Sequence, residues 1–139
     1  MARQHGRASG GHVLLLFAGD GVCADGLALP ELLELQGYSV EAIDVKRGGT
    51  AHDVTRPEVQ QELVRAVRRG DYDFVFIATP CESYSPAHEP RLRPRDQPAG
   101  GEVPPEWRRY IDKHNTLAAV TAEVFVAAAT AHVPAVIEN

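Results

Sequence analysis

A doubly wound, mostly parallel α/β sheet is the fold class this sequence predicts, and three observations predict it. Two continuous apolar runs, Val13-Leu14-Leu15-Leu16-Phe17 and Phe74-Val75-Phe76-Ile77-Ala78, have the length and the aliphatic and aromatic content of strands buried on both faces. Each run stops at chain-breaking residues, Ala18-Gly19-Asp20-Gly21 in the first case and Thr79-Pro80 in the second. Around them, stripes with helical spacing alternate with shorter strand-like runs, the pattern of a parallel sheet joined by right-handed crossovers.

Taken in order, the first strand feeds a glycine-rich turn. Leu29, Leu32, Leu33 and Gln36 then fall at helical spacing with Gly37 as C-cap. Pro30 opens that helix at its first turn or kinks it, and both readings stay open. Val40-Glu41-Ala42-Ile43-Asp44-Val45 alternates and reads as the second strand. Residues 46–50 are expected to turn the chain, and Ala51-His52-Asp53-Val54 is expected to add a very short edge strand. Thr55, before Pro57 and Glu58, has the chemistry of an N-cap. Val59, Leu63, Ala66 and Val67 mark one face of the helix that follows, which ends at Gly70. Phe74 to Ala78 is the central strand, and Pro80, lacking an N–H, ends its ladder. Residues 86–105 hold six prolines, Arg91, Arg93 and Arg95 and read as a long loop, a type that in compact domains is usually functional or disordered. Leu117, Val120, Val124 and Ala128 stripe a last helix, and Ala135-Val136-Ile137 begins a strand that closes on Glu138-Asn139.

The 139 residues make one domain, residues 12–139 behind a flexible tail over 1–11, with 44% hydrophobic and 24% charged residues. A net charge of −5 excludes a global positive field for nucleic acid, so any such contact must be local. Two cysteines, Cys23 and Cys81, are too few for a disulfide framework, and no Cys/His cluster has zinc-ligand spacing. The tail lacks the apolar core of a signal peptide, and no run approaches the length of a membrane span. The expectation is a soluble intracellular protein, cytoplasmic or nuclear, without a membrane partner.

Gly19-Asp20-Gly21-Val22-Cys23-Ala24 fits the glycine fingerprint of nucleotide-binding turns, and Asp44 follows Ala24 by 20 residues. Glycines let a ligand approach the backbone, and an acid at the next strand end can accept from two ribose hydroxyls. The ligand read from this is an adenosine-containing molecule, either S-adenosylmethionine or a nicotinamide dinucleotide. Phe17, placed to pack on an adenine, and Asp53, a second acid near the same edge, favour the former; Asp53 also reads as a surface acid preceding a helix. Cys81 sits just past the carboxyl end of the central strand, where open α/β sheets put their ligands and where a thiolate can be both exposed and activated. It reads otherwise as a small half-buried hydrophobe. A cysteine-phosphatase loop is excluded, because the arginine needed six residues on is Ala87. Glu138, at the end of the adjacent strand, is expected beside Cys81 as a proton-holding group.

Together these residues resemble the cytosine-5 DNA methyltransferase family. Phe17-Ala18-Gly19-Asp20-Gly21 resembles its cofactor motif, Pro80-Cys81-Glu82-Ser83-Tyr84-Ser85 its nucleophile motif, and Glu138-Asn139 its Glu-Asn motif, in the family's order. The resemblance implies that Cys81 adds to carbon 6 of a flipped-out cytosine, that Glu138 bonds and protonates ring nitrogen 3, and that S-adenosylmethionine methylates carbon 5. It assigns Phe17, Ala18, Gly19, Asp20, Gly21, Asp44, Val45, Asp53 and Pro80 to the cofactor. Ser85, Asn139 and, on phosphates, Arg91, Arg93 and Arg95 fall to the DNA substrate, although such an arginine run also reads as a solvated loop. Glu82 stands where the family has glutamine and Thr79 where it has proline. The family's later strands, its arginine motif and its target-reading region have no counterpart here. A shortened, non-catalytic cofactor-binding domain is therefore the alternative, with a nicotinamide-dependent oxidoreductase as the third. An incomplete sheet would also present an open edge through which copies of the chain could associate.

Overall fold

A computed structural model of the chain describes residues 10–21 and 26–138. Strands β1 (His12–Leu16), β2 (Ser39–Ile43), β3 (Phe74–Ala78) and β4 (Ala135–Glu138) form one sheet in the order β2-β1-β3-β4, all parallel. Helices α1 (Leu29–Leu35), α2 (Val45–Gly48), α3 (Pro57–Arg68) and α4 (Pro105–Thr130) fill the connections. The predicted α/β fold class is thus what the chain adopts.

The register assigns the faces. Leu14 and Leu16 pair with Val75 and Ile77, and this side packs on Leu63 and Val67 of α3 and on Leu117, Val120 and Val124 of α4. The other side carries Val13, Leu15, Phe74 and Phe76. Right-handed crossovers put α1 there, because β1 to β2 runs in the opposite direction across the sheet from β2 to β3 and β3 to β4. Here the expectation of a central strand buried on both faces is only half met. Val75 and Ile77 are fully buried, but Phe74 and Phe76 are half-buried. The reason is coverage: α1 has seven residues and packs on β2, leaving β3 less screened on that side.

Strand order reverses between β1 and β3, so their carboxyl ends flank the crevice where such sheets take ligands. β1 ends at Leu16, and the next residue, Phe17, has the left-handed φ of 62° and donates its N–H to Ile43 O at 2.8 Å. The run therefore turns one residue earlier than its apolar composition suggests. β3 ends at Ala78, and Pro80 follows in place of a ladder residue.

Several local expectations need correction. Residues 51–54 form no strand. Asp44 caps α2 by accepting from the Lys46 N–H at 2.9 Å, and a 3₁₀ turn follows at Gly49–His52, so local bonds consume the backbone groups a strand would offer the sheet. Residues 46–50 turn the chain as expected, through these helical pieces. Arg56, not Thr55, is the N-cap residue of α3, and no side chain caps it; the Thr55 hydroxyl donates to Asp53 instead. Pro30 and Pro57 both lie in first helical turns, where a missing N–H costs nothing. The tail expected over residues 1–11 falls outside the described residues up to residue 9, whereas Gly10 and Gly11 are tied to Gly37 and Ser39 by backbone bonds. No described helix is long and apolar enough to cross a membrane.

The proline- and arginine-rich connection is irregular but packed. Leu92 and Gly101 are buried, the Gly101 N–H donates to Leu92 O at 3.0 Å, and the Arg93 side chain is drawn inside.

Candidate functional site

The glycine turn after β1 is held from the β2 side. Asp44 Oδ2 accepts from the Gly19 N–H at 2.9 Å while its Oδ1 accepts from Lys46, and Arg47 Nε donates to the Gly19 carbonyl at 2.8 Å. Both backbone groups of Gly19 are thus engaged by side chains from the end of β2. The turn needs glycine: Gly19 has φ 72° and Gly21 φ 81°, and a Cβ on Gly21 would lie 2.8 Å from Arg47 Nη2.

Between this turn, the end of β2 and α4 lies a cavity of about 530 Å³. Its walls include Phe17, Gly19, Asp44, Val45, Asp53 and Pro80, six of the nine residues that the sequence assigned to a cofactor. Ala18, Asp20 and Gly21 belong to the same turn but do not line the cavity, and Val22 to Ala24 lie outside the described residues. The cavity also takes in residues that sequence reasoning missed: His52, Tyr110, Lys113 and His114, with Glu82 from the nucleophile-like motif. A signal for the α4 residues was present. His114 and Thr121 fall within the apolar stripe of that helix, where polar side chains are out of place unless they have partners.

The electrostatics of the cavity are mixed, with three carboxylates, Asp44, Asp53 and Glu82, set against the ammonium groups of Lys46 and Lys113. The Thr55 hydroxyl, donating to Asp53 Oδ1 at 2.6 Å, is the main cause that holds the Asp53 carboxyl below its usual range, with the Thr55 N–H adding to it. His114 is 5% exposed; burial pushes its pKa down, while the nearby Glu82 carboxylate, 4.0 Å from Nε2, works the other way. The Tyr110 ring lies 4.4 Å from the His114 ring, centroid to centroid, and continues into Trp107 and His88.

Cys81 is exposed and opens the 3₁₀ turn Glu82–Tyr84, in which the Tyr84 N–H donates to Cys81 O at 2.9 Å. It stands next to the cavity wall, between Pro80 and Glu82, without lining the cavity. Glu138 is exposed and pairs in register with Ala78, three positions before Cys81 on the neighbouring strand. The sheet therefore brings both to one carboxyl edge, with Glu138 outside the cavity. Ser85 is exposed and Asn139 lies outside the described residues. Arg91 and Arg95 are exposed, as phosphate contacts must be, but Arg93 is 9% exposed and its guanidinium is spent on internal partners. Among the described residues no group of acids, histidines and cysteines has the makings of a metal site. A larger groove, about 850 Å³, runs between α3 and α4 and contains none of these residues.

Comparison of the chain with protein-family models, with curated proteins and with solved structures finds no match.

Proposed function

We propose that the chain is a methyltransferase-like domain that binds S-adenosylmethionine in the cavity over β1 and β2 and presents Cys81 to a cytosine of DNA. The observation that carries this reading is convergence: residues from the ends of β1, β2 and β3, separated by up to 63 positions from Phe17 to Pro80, meet in one cavity beside Cys81. In this reading Asp44 accepts from the ribose hydroxyls and Phe17 and Val45 pack on the adenosine. The Cys81 thiolate adds to carbon 6 of the cytosine as the 5,6 double bond opens, Glu138 holds the proton at ring nitrogen 3, and the thiolate leaves again, restoring the double bond, when the methylated carbon 5 gives up its proton. Charge separates the two cofactor readings. S-adenosylmethionine carries a sulfonium and an ammonium against one carboxylate, which suits a cavity with three carboxylates and two ammonium groups. The pyrophosphate of a nicotinamide dinucleotide would face those carboxylates, and the Gly19 N–H it would need is already taken by Asp44.

A second reading, cofactor binding without catalysis, is favoured by one observation: Glu138 is exposed and outside the cavity. Incubating the protein with labelled S-adenosylmethionine and mixed-sequence DNA separates the two. Label in 5-methylcytosine that disappears in Cys81→Ser, with cofactor affinity kept in a titration calorimeter, is the result expected. Cofactor binding with no transfer would favour the second reading. No heat with S-adenosylmethionine and clear heat with NAD would overturn the cofactor assignment itself.

A further inference from the structure

The arginines of the long connection divide into two kinds. Arg91 and Arg95 face solvent, whereas Arg93 enters the protein beneath the turn that bears Cys81. Its Nε and Nη2 both donate to Ser83 Oγ, at 3.2 and 3.0 Å, and Nη1 donates to Asn115 Oδ1 and to Pro98 O, each at 2.7 Å. Nη2 also reaches Ile111 O at 3.5 Å, and the guanidinium carbon lies 3.8 Å from the centroid of the Tyr84 ring. One planar fork thus joins the turn, α4 and the far part of the loop, a geometry that lysine cannot reproduce. On the other side of Cys81, Thr79 Oγ1 meets Thr121 Oγ1 of α4 at 2.8 Å, and directly after Cys81 a Glu82 carboxylate oxygen lies 4.0 Å from His114 Nε2.

We infer that Arg93 is a positioning residue: it locks Ser83 and Tyr84 to α4 so that Cys81, two residues before Ser83, is held in a fixed place beside the cavity wall. The inference rests on the methyltransferase reading for its chemistry and on the turn alone for its geometry. Buried polar groups this fully matched are costly to disturb, since removing one member strands the others. An arginine that served only as a phosphate contact would have no reason to point inward.

The test compares wild type, Arg93→Lys and Ser83→Ala, all as the full chain, by two measurements. Hydrogen exchange is followed on the peptide covering residues 80–86, where the Tyr84 and Ser85 N–H groups close the turn, and on peptides from β1 and β3. Methyl transfer is measured with S-adenosylmethionine varied, so that kcat and the cofactor KM are read separately. The expected result is loss of protection confined to residues 80–86. With it kcat should fall by about 10- to 100-fold, the scale of an ångström-level misplacement of a reacting group, while the cofactor KM stays within about twofold. Ser83→Ala, which leaves Arg93 its bonds to Asn115 and Pro98, should show the same pattern more weakly. Unchanged protection at 80–86 overturns the inference, as does a loss spread evenly over β1 and β3, which would make Arg93 a general staple. If wild type transfers no methyl group, the proposed function fails by itself, and the exchange pattern alone decides whether Arg93 holds the turn.

Discussion

Replacing Asp44 by alanine removes two bonds at once, those from the Gly19 and Lys46 N–H groups, each 2.9 Å long. Both join a backbone donor to an ionised acceptor, a class worth about 1.5–3 kcal/mol when well shielded. Asp44 is half-buried, so the low end applies. The Lys46 bond is also an N-cap, for which about 1 kcal/mol is typical. The two together should lower stability by about 2–3 kcal/mol, a large part of the roughly 5–15 kcal/mol of an ordinary domain. Asp44→Asn keeps one acceptor oxygen and should lose about half of that. If the same carboxylate also accepts from a ribose, Asp44→Ala should weaken S-adenosylmethionine binding by about 10- to 100-fold, since about 1.4 kcal/mol is a factor of ten. Urea unfolding followed by circular dichroism measures the first effect and titration calorimetry the second. An unchanged urea midpoint would refute the role of Asp44 in holding the glycine turn. An affinity within twofold of wild type, measured where the variant remains folded, would refute the ribose contact and leave the stability argument standing.

Other outcomes follow from the packing and the charges. Ile77→Ala, at a fully buried position of β3 facing α4, should cost about 2–5 kcal/mol in chemical denaturation, and a loss under about 1 kcal/mol would contradict the packing of β3 against α3 and α4 described above. Burial lowers the pKa of His114, so the folded state takes up its proton less readily than the unfolded chain. Its contribution to stability is therefore fully present above the unfolded value of about 6.5 and is lost as pH falls toward and through the folded value. Urea unfolding between pH 5 and pH 8 should show a shallower dependence in His114→Gln, and an identical slope would remove His114 as the cause. Arg91→Ala combined with Arg95→Ala should leave cofactor binding intact and flatten the salt dependence of DNA binding by about two phosphate contacts. An unchanged slope would make this stretch a solvated loop. Among the described residues β4 is an edge strand, with Val136 and Ile137 more than 40% exposed, so Ile137→Lys should reduce any self-association seen in sedimentation, and a wild type that sediments as a monomer would remove edge pairing.

What the sequence determined by itself was the sheet and the whereabouts of its ligand-facing edge. Runs such as Phe74 to Ala78 and Val13 to Leu16 have little alternative to burial, and the glycines and proline that end them mark the carboxyl ends of β1 and β3. Phe17, Gly19, Asp44, Val45 and Pro80 were legible because each lies at or just beyond a strand end, a position that periodicity and chain-breakers locate, whereas Asp53 reaches the cavity from the end of a 3₁₀ turn and not from the edge strand expected there. Local capping was less legible. Thr55 has the chemistry of a cap, yet its hydroxyl is claimed by Asp53, a competition between neighbours that composition does not rank. The tertiary structure alone decided which side chains α4 and the long connection deliver to the site. Tyr110, Lys113 and His114 reach the cavity because α4 crosses the sheet beside β3, and the phase of a helix against a sheet is set by packing of the whole core. Arg93 shows the same limit most sharply. Three arginines in alternation look alike in sequence, and only the folded loop, closing over Ser83 and Asn115, turns the middle one inward and leaves the outer two in water.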